Sequence, residues 1–334
     1  MHYINCIFKH VITCIIFLSV ATSAYSYNEI NYLPVRDQAR TKFLLVGQNY
    51  PSRSYQLNGC YNDANRIKNF FSSFKGYDAQ IELLTDEKSP IKKIDFLYKL
   101  STLAKETHAE INPIRQIMIS YSGHGLQQRK ASRQETDRPS SPGKEDGKDE
   151  CLFLDDQILS DNELHNALKD FHKDSKIIFL VDACHSGTIL DLGYLVTKEN
   201  NGSLISIERE DCTDIDANVL CISGCLDAGT SAETFNPDLS DEENREQILN
   251  KKAAYREMKI NPESEARNLD GAYAGILTTY FIDALISYSK CPLDSILNEL
   301  YQKRDDNGVK QRFCFSSNRP INLGSTLLDE ATDE

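Results

Sequence analysis

Two short stretches carry residue types that could together attack a carbonyl carbon. Ile177-Ile178-Phe179-Leu180-Val181 is an apolar run of strand length that stops on Asp182-Ala183-Cys184-His185-Ser186-Gly187. A carboxylate thus closes the run, and a thiol follows two residues later. Side chains alternate along a strand, so Asp182 and Cys184 are expected on one side of its carboxyl end, where open α/β sheets hold their ligands. For a single cysteine, a buried structural role is the ordinary explanation. The second stretch changes the balance. Ile117-Met118-Ile119-Ser120-Tyr121-Ser122 ends on Gly123-His124-Gly125 and repeats the pattern, with an imidazole in place of the thiol. A histidine between two glycines has no packing role to explain it, and the glycines let backbone N–H groups approach a substrate. Thiol and imidazole on neighbouring strand ends make a Cys-His dyad, with Cys184 as nucleophile and His124 as the base that later protonates the leaving amine. His185 is the rival base, but side chains of successive residues at a strand end diverge. His108, His165 and His172 fall on helical or surface stretches without a partner and read as structural.

The rest of the pattern is what such a site needs to be held in place. A strand over Phe43–Val46 leads through Pro51-Ser52-Arg53-Ser54 to the turn signal Asn58-Gly59. A helix of about fifteen residues then begins near Asp63, which could serve as its N-cap, with Ile67, Phe70, Phe71 and Phe74 on the core face. Ile81–Leu84 reads as a strand, Ile91–Glu106 as an amphipathic helix and Ile117–Ser122 as the strand bearing His124. Strands alternating with helices indicate a largely parallel sheet covered on both faces. From Gln127 to Asp149 the periodicity vanishes, and basic residues mix with Ser, Pro, Gly and acids, as in an exposed loop. Cys151–Leu154 follows as a short hairpin strand, and Asp161–Phe171 as a helix with Asp161 as N-cap. A loop from the Cys184 strand through Asp214 precedes a strand at Val219–Ile222. A second charged excursion, residues 236–268, contains a helical piece near Glu243–Met258. Ala272–Ser287 then reads as an amphipathic helix, Leu293–Arg304 as another and Arg312–Phe315 as the last strand.

With 334 residues, 40% hydrophobic and 26% charged, the chain can build one large domain or two small ones around an ample core. A net charge of -13 argues against a nucleic-acid partner or an anionic membrane surface, and its sign suits cationic ligands. Residues 1–26 read as a secretory signal peptide, with an apolar core from Val11 to Val20 and small residues up to Ala24-Tyr25-Ser26. Export to a periplasm or the exterior follows, and a retained membrane anchor is the less favoured reading because the apolar core is short for a bilayer. Residues 27–40 read as a linker or short pro-segment. Of ten cysteines, Cys6 and Cys14 lie in the leader, and the others lack paired metal-ligand spacing, which argues against zinc. Export would permit a disulfide among Cys151, Cys212, Cys221, Cys225, Cys291 and Cys314.

The motifs around His124 and Cys184 resemble those of the metacaspases, the Arg/Lys-specific branch of the caspase-like C14 cysteine peptidases. Lys42 to Tyr50 with Leu57-Asn58-Gly59-Cys60-Tyr61-Asn62-Asp63-Ala64 resembles the family's first strand and following loop. Ile222-Ser223-Gly224-Cys225, Thr230-Ser231-Ala232-Glu233 and Phe315-Ser316-Ser317 resemble its small-subunit region. The resemblance implies a caspase-like α/β/α sandwich over 41–328 with a mainly parallel six-stranded sheet, large-subunit-like to 215 and small-subunit-like from 216. It also implies an oxyanion hole from the backbone amides of Gly125 and Cys184, and an S1 pocket lined by Cys60, Asp63, Ser122 and Asp182. Two carboxylates at the bottom of a pocket suit a guanidinium or an ammonium, so peptides with Arg or Lys at the cleavage position are the expected partners. No cofactor is obligatory. Calcium is an implied activator, at positions matching Asp149, Asp161, Asn162 and Asp191, although Asn162 stands where a second Asp is usual. A monomer is implied, and the basic loops Arg129–Lys148 and Lys251–Arg267 are candidate self-processing sites. A caspase-like binding module without catalysis and an acyl-transferring or ligating variant of the same thiol chemistry are the alternatives.

Overall fold

The computed structural model describes residues 41–73, 80–129, 148–155, 157–199, 201–209, 214–225, 233–235, 273–288, 292–307 and 311–328. The expected signal peptide, the linker, Phe74, the interior of both charged loops, the helical piece near Glu243–Met258, Cys212 and Cys291 lie outside these residues.

Apolar runs with little alternation form the central strands of the main sheet, buried on both faces as parallel strands between helices must be, and shorter, half-buried strands form its edges. In chain order these are β1 (Thr41–Gly47), β2 (Ile81–Thr85), β3 (Gln116–Ser122), β7 (Lys176–Asp182), β8 (Tyr194–Lys198), β9 (Leu204–Glu208), β10 (Asn218–Ser223) and β13 (Cys314–Ser317). Their spatial order is β2-β1-β3-β7-β10-β13-β8-β9. The first five run parallel, and β13, β8 and β9 pair antiparallel. The sheet therefore has eight strands where six were expected. The two additional ones are the β8–β9 hairpin, which occupies the stretch before Asp214 that reads as loop because Gly, Asn and charges interrupt it.

Helices cover both faces. On one, Phe43, Leu45, Met118, Ile178, Leu180 and Ile222 pack with α1 (Cys60–Ser72), α4 (Ile276–Ser287) and α5 (Leu293–Asp306). On the other, Leu44, Val46, Ile119, Phe179, Val181 and Val219 pack with α2 (Lys93–Thr107) and α3 (Asp161–Lys169). Alternate residues of one strand thus serve opposite cores, which is the pleat expressed as packing. Burying each Leu, Ile or Phe contributes about 1.5–3 kcal/mol, so the central strands are fixed from both sides.

Several local expectations need correction. Cys60, not Asp63, opens α1, with Gly59 as cap residue, and Asp63 sits in the first turn. Ser160, not Asp161, caps α3: its hydroxyl accepts the Glu163 N–H while the Glu163 carboxylate accepts the Ser160 N–H, a capping box. The charged loop is shorter than 127–149, because β4 (Gly125–Arg129) and β5 (Lys148–Leu154) pair antiparallel at its base and β6 (Gln157–Ser160) completes a small sheet. The first residues of the expected helix at Ala272 instead form β12 (Tyr273–Gly275), paired with β11 (Glu233–Phe235), before α4 begins. Within α4 the expected one-sided burial is present: Ile276, Leu277, Thr278, Phe281, Ile282, Ala284 and Leu285 are buried, Thr279, Tyr280, Asp283 and Ile286 are half-buried, and Ser287 is exposed.

Candidate active site

Strands β3 and β7 are adjacent and parallel, with Ser122 opposite Asp182. The pairing runs on past the strand ends, where Gly123 N–H donates to the Asp182 carbonyl at 3.4 Å. Two residues beyond this pair on each strand stand His124 and Cys184, brought level by the same register. Gly125 comes closer still: a Cβ there would collide with the Cys184 carbonyl oxygen, so only glycine permits this approach of the two loops. Cys184 is half-buried. The rival base His185 takes left-handed backbone, φ 52°, at the turn after the thiol.

The imidazole is held by a cage that the motif spacing did not reveal. His124 Nε2 lies 2.6 Å from the Tyr55 carbonyl oxygen. A carbonyl only accepts, so Nε2 carries the proton and, in neutral imidazole, Nδ1 is left as the basic nitrogen. The Tyr50 ring stacks on the imidazole with centroids 4.8 Å apart. Its hydroxyl accepts the His124 backbone N–H at 2.9 Å and donates to the Phe153 carbonyl at 2.8 Å. The Tyr121 hydroxyl reaches the His124 carbonyl at 3.0 Å. Burial pushes both phenols well above their usual range, so they stay protonated donors. Tyr50 itself has left-handed backbone, φ 51°, a strained state for a bulky residue. Asp86 holds it there, accepting the N–H groups of Asn49 and Tyr50 at 2.9 and 2.7 Å.

Of the expected S1 residues, Asp63, Ser122 and Asp182 meet. The Ser122 hydroxyl donates to Asp63 at 2.6 Å, and Asp63 accepts the Gly275 N–H at 2.9 Å. Asp182 accepts both the N–H and the hydroxyl of Thr278, at 2.9 and 3.0 Å. A Cβ on Gly275 would collide with Asp182 and stand 2.9 Å from Asp63 Oδ2, so the two carboxylates converge on this glycine. They are 1% and 6% exposed. Burial first, and then repulsion from Asp182, raises the Asp63 carboxyl to about 7. Asp63 is thus no helix cap but a buried acid facing a second one. Cys60 is buried one helical turn before Asp63, its N–H bonded to Asn49 Oδ1 at 2.9 Å. Gly275 and Thr278 were missed because nothing in an apolar helix start reveals what it will face.

The positions implied for calcium behave differently. Asp161 is fully buried, and its carboxylate accepts the backbone N–H groups of Glu150 and Asn162 at 3.3 and 2.6 Å. Among the described residues no three His, Cys, Asp or Glu side chains gather as a metal ion requires. Asp149 Oδ1 and Asp191 Oδ1 are nevertheless buried carboxylate oxygens, the donor type a hard cation takes. The histidines expected to lack partners have them: His165 lies between the Leu190 carbonyl and Asp214, and His108 bonds the Asp170 carbonyl. No disulfide joins Cys60, Cys151, Cys184, Cys221, Cys225 or Cys314. Among the described residues no helix is long and apolar enough to cross a membrane.

A doubly covered, largely parallel sheet that brings a thiol loop and an imidazole loop level on adjacent strand ends defines the caspase-like class of α/β proteins. The chain belongs to the C14 peptidase family, whose caspase-domain model matches residues 40–322. It is similar to metacaspase-1 of Candida glabrata, 29% identical over 245 residues, 59% of this chain and 60% of that one. It is also similar to metacaspase-1 of Ajellomyces capsulatus, 26% identical over 326 residues, 90% of this chain and 85% of that one. The chain therefore spans only three fifths of the Candida glabrata relative's length. The crystal structure of protein GSU0716 from Geobacter sulfurreducens shares the fold, with a TM-score of 0.54 and 19% identity over 88% of this chain and all of that one.

Proposed function

We propose that this chain is a cysteine endopeptidase that hydrolyses peptide bonds after Arg or Lys by a Cys184–His124 dyad. The observation that carries the reading is the β3–β7 register, which ends both strands on one site with Ser122 opposite Asp182. His124 Nδ1 takes the thiol proton, and the Cys184 thiolate attacks the carbonyl carbon. The N–H groups of Gly125 and Cys184 receive the negative charge that develops on the carbonyl oxygen. His124 then returns its proton to the leaving amine, and water releases the acyl group by the reverse sequence. Asp63 and Asp182, with Ser122 and Cys60 beside them, supply the charge that a guanidinium or ammonium needs at S1. As arranged, each carboxylate is satisfied by the start of α4, so a basic side chain has to displace or share these contacts.

Hydrolysis of Arg- and Lys-coumarin peptides under reducing conditions, beside Asp- and Leu-peptides and a Cys184→Ala variant, tests the reading. Turnover of the basic peptides alone, abolished in the variant, is expected. No turnover would favour a caspase-like binding module, and aminolysis products on adding free amines would favour acyl transfer. The same assay with calcium or a chelator addresses Asp149, Asp161, Asn162 and Asp191. A gain with calcium means these side chains rearrange to admit it, and unchanged turnover sets calcium aside. For self-processing, fragments that persist in Cys184→Ala would defeat the idea.

A further inference from the structure

We propose that Cys225 is a resolving thiol for Cys184, so that oxidation of the nucleophile ends in a reversible Cys184–Cys225 disulfide. The inference rests on Cys184 being the reactive thiol of the proposed peptidase, but it concerns a residue to which that reaction gives no part. Strand β10 lies on the other side of β7 from β3, with Ser223 opposite Val181, and Gly224 N–H continues the ladder to the Val181 carbonyl at 2.8 Å. Two residues past Ser223, Cys225 therefore comes abreast of Ala183, the residue before the nucleophile.

The side-chain contact agrees with the register. Cys225 Sγ donates to the Ala183 carbonyl oxygen at 3.3 Å. Covalent geometry fixes that oxygen about 3 Å from the Cys184 Cα. Cys225 Sγ is thus within about 6 Å of the Cys184 Cα; with paired strands about 5 Å apart and Cys184 one residue, about 3.3 Å, beyond Ala183, the Cα atoms of the two cysteines stand about 6 Å apart. Disulfides span Cα separations of about 4.4–6.8 Å. The Ser186 hydroxyl also donates to the Ala183 carbonyl, at 2.8 Å, and touches Cys225 Sγ at 4.0 Å, folding the loop after the nucleophile back toward the second thiol. Forming the bond requires Cys184 to turn from His124 toward β10.

Burial separates the two roles. Cys184 is half-buried and meets solutes, whereas Cys225 is 1% exposed. Burial also raises the Cys225 thiol above its usual range, which keeps it unreactive toward external oxidants. A hydroperoxide is the oxidant: the Cys184 thiolate attacks its terminal oxygen, the O–O bond breaks, and the leaving alkoxide or hydroxide takes the proton that His124 had accepted from the thiol, giving Cys184 sulfenic acid and an alcohol or water. Cys225 sulfur then attacks the Cys184 sulfur, the S–O bond breaks, and the hydroxide that leaves takes the Cys225 proton as water. A dithiol reverses the step by exchange. The bond would remove the nucleophile from catalysis while shielding it from sulfinic acid, which dithiols do not reduce.

The test treats the full chain with hydrogen peroxide and maps peptides by mass under non-reducing conditions. A peptide pair joining Cys184 to Cys225, lighter by two hydrogens, is expected, with turnover lost and then restored by dithiothreitol. Cys225→Ser keeps a donor for the Ala183 carbonyl, so basal turnover stays while the cross-link disappears and dithiothreitol no longer restores activity. Cys225→Ala gives the same readout should serine disturb folding. Cys184 sulfinic acid forming equally fast in wild type and variant, or Cys184 joined to Cys60 instead, overturns the proposal. The mass readout needs no turnover, so an inactive chain that still cross-links refutes only the peptidase reading. An active chain that does not cross-link refutes only this one.

Discussion

The Tyr50 hydroxyl accepts the His124 backbone N–H at 2.9 Å while the Tyr50 ring stacks on the imidazole at 4.8 Å. One side chain on the loop after β1 thus fixes both the position and the tilt of the proposed base on the loop after β3. The arrangement is stored in strained backbone at Tyr50, which Asp86 holds through two N–H bonds.

Tyr50→Phe should keep the stack and lose the hydrogen bonds. It leaves the His124 N–H without its phenol partner, at a cost of about 1–3 kcal/mol, while the Phe153 carbonyl keeps the Tyr121 hydroxyl at 2.8 Å. A misplaced imidazole lowers kcat by up to about 100-fold, with KM for Arg peptides little changed because the S1 acids are untouched. Denaturant unfolding and steady-state kinetics read the two effects separately, and wild-type kcat in a variant that has lost stability would remove Tyr50 from positioning.

The acid pair makes a pH prediction. Asp63 has its folded pKa raised to about 7, first by burial and then by Asp182, against an ordinary carboxylate value near 4. A raised folded pKa means that the folded chain holds the proton more tightly. The stability this contributes is full below about pH 4 and is lost as pH rises through about 7. Binding of a basic side chain runs the opposite way, since it requires the charged pair. Benzamidine binding to Cys184→Ala, which removes the thiol from the titration, should therefore tighten between pH 6 and 8, and Asp63→Asn should flatten the profile. A flat wild-type profile would contradict the facing-acid geometry.

Asp182→Ala separates specificity from chemistry. It removes one charge of the proposed S1 pair and the acceptor of both Thr278 bonds, and an unpartnered Thr278 N–H adds about 1–3 kcal/mol of destabilisation. Turnover of Arg peptides should fall to background while iodoacetamide still alkylates Cys184 at a measurable rate. Arg cleavage at the wild-type rate would rule out the pocket assignment and leave the dyad standing.

That the loops bearing His124 and Cys184 follow adjacent strands was legible because the signals are local: an apolar run that stops on small and polar residues. The parallel sheet was legible for the same reason, since Ile177–Val181 and Ile117–Ile119 are each apolar without alternation. What escaped were partners set by tertiary contact. Asp63 could equally be read as a cap because acids favour helix starts; its place beside Asp182 came only with the family resemblance, and its bond from Gly275, 212 residues away in sequence, escaped altogether. Tyr50 gave no sign of serving His124, because an aromatic at a strand end usually only packs. The β8–β9 hairpin was hidden because each strand is only five residues long and Glu199, Asn201 and Gly202 separate them, so neither apolar run stands out.

Gly275 offers the sharpest separation of backbone from side-chain effects. Its backbone is ordinary, φ −66° and ψ 138°, so alanine there meets no conformational penalty of its own. The added Cβ, however, would collide with the Asp182 carboxylate and crowd Asp63. One or both acids must turn away, and each then loses a bond from the start of α4. Gly275→Ala should therefore destabilise the chain by about 1–3 kcal/mol, as overpacking does. It should raise KM for Arg and Lys peptides far more than it lowers kcat, because His124 and Cys184 lie on other loops. Kinetics on paired Arg and Lys peptides with an unfolding curve for the same preparation measure this. A variant that loses kcat but keeps KM would show that α4 supports the dyad and not the S1 carboxylates.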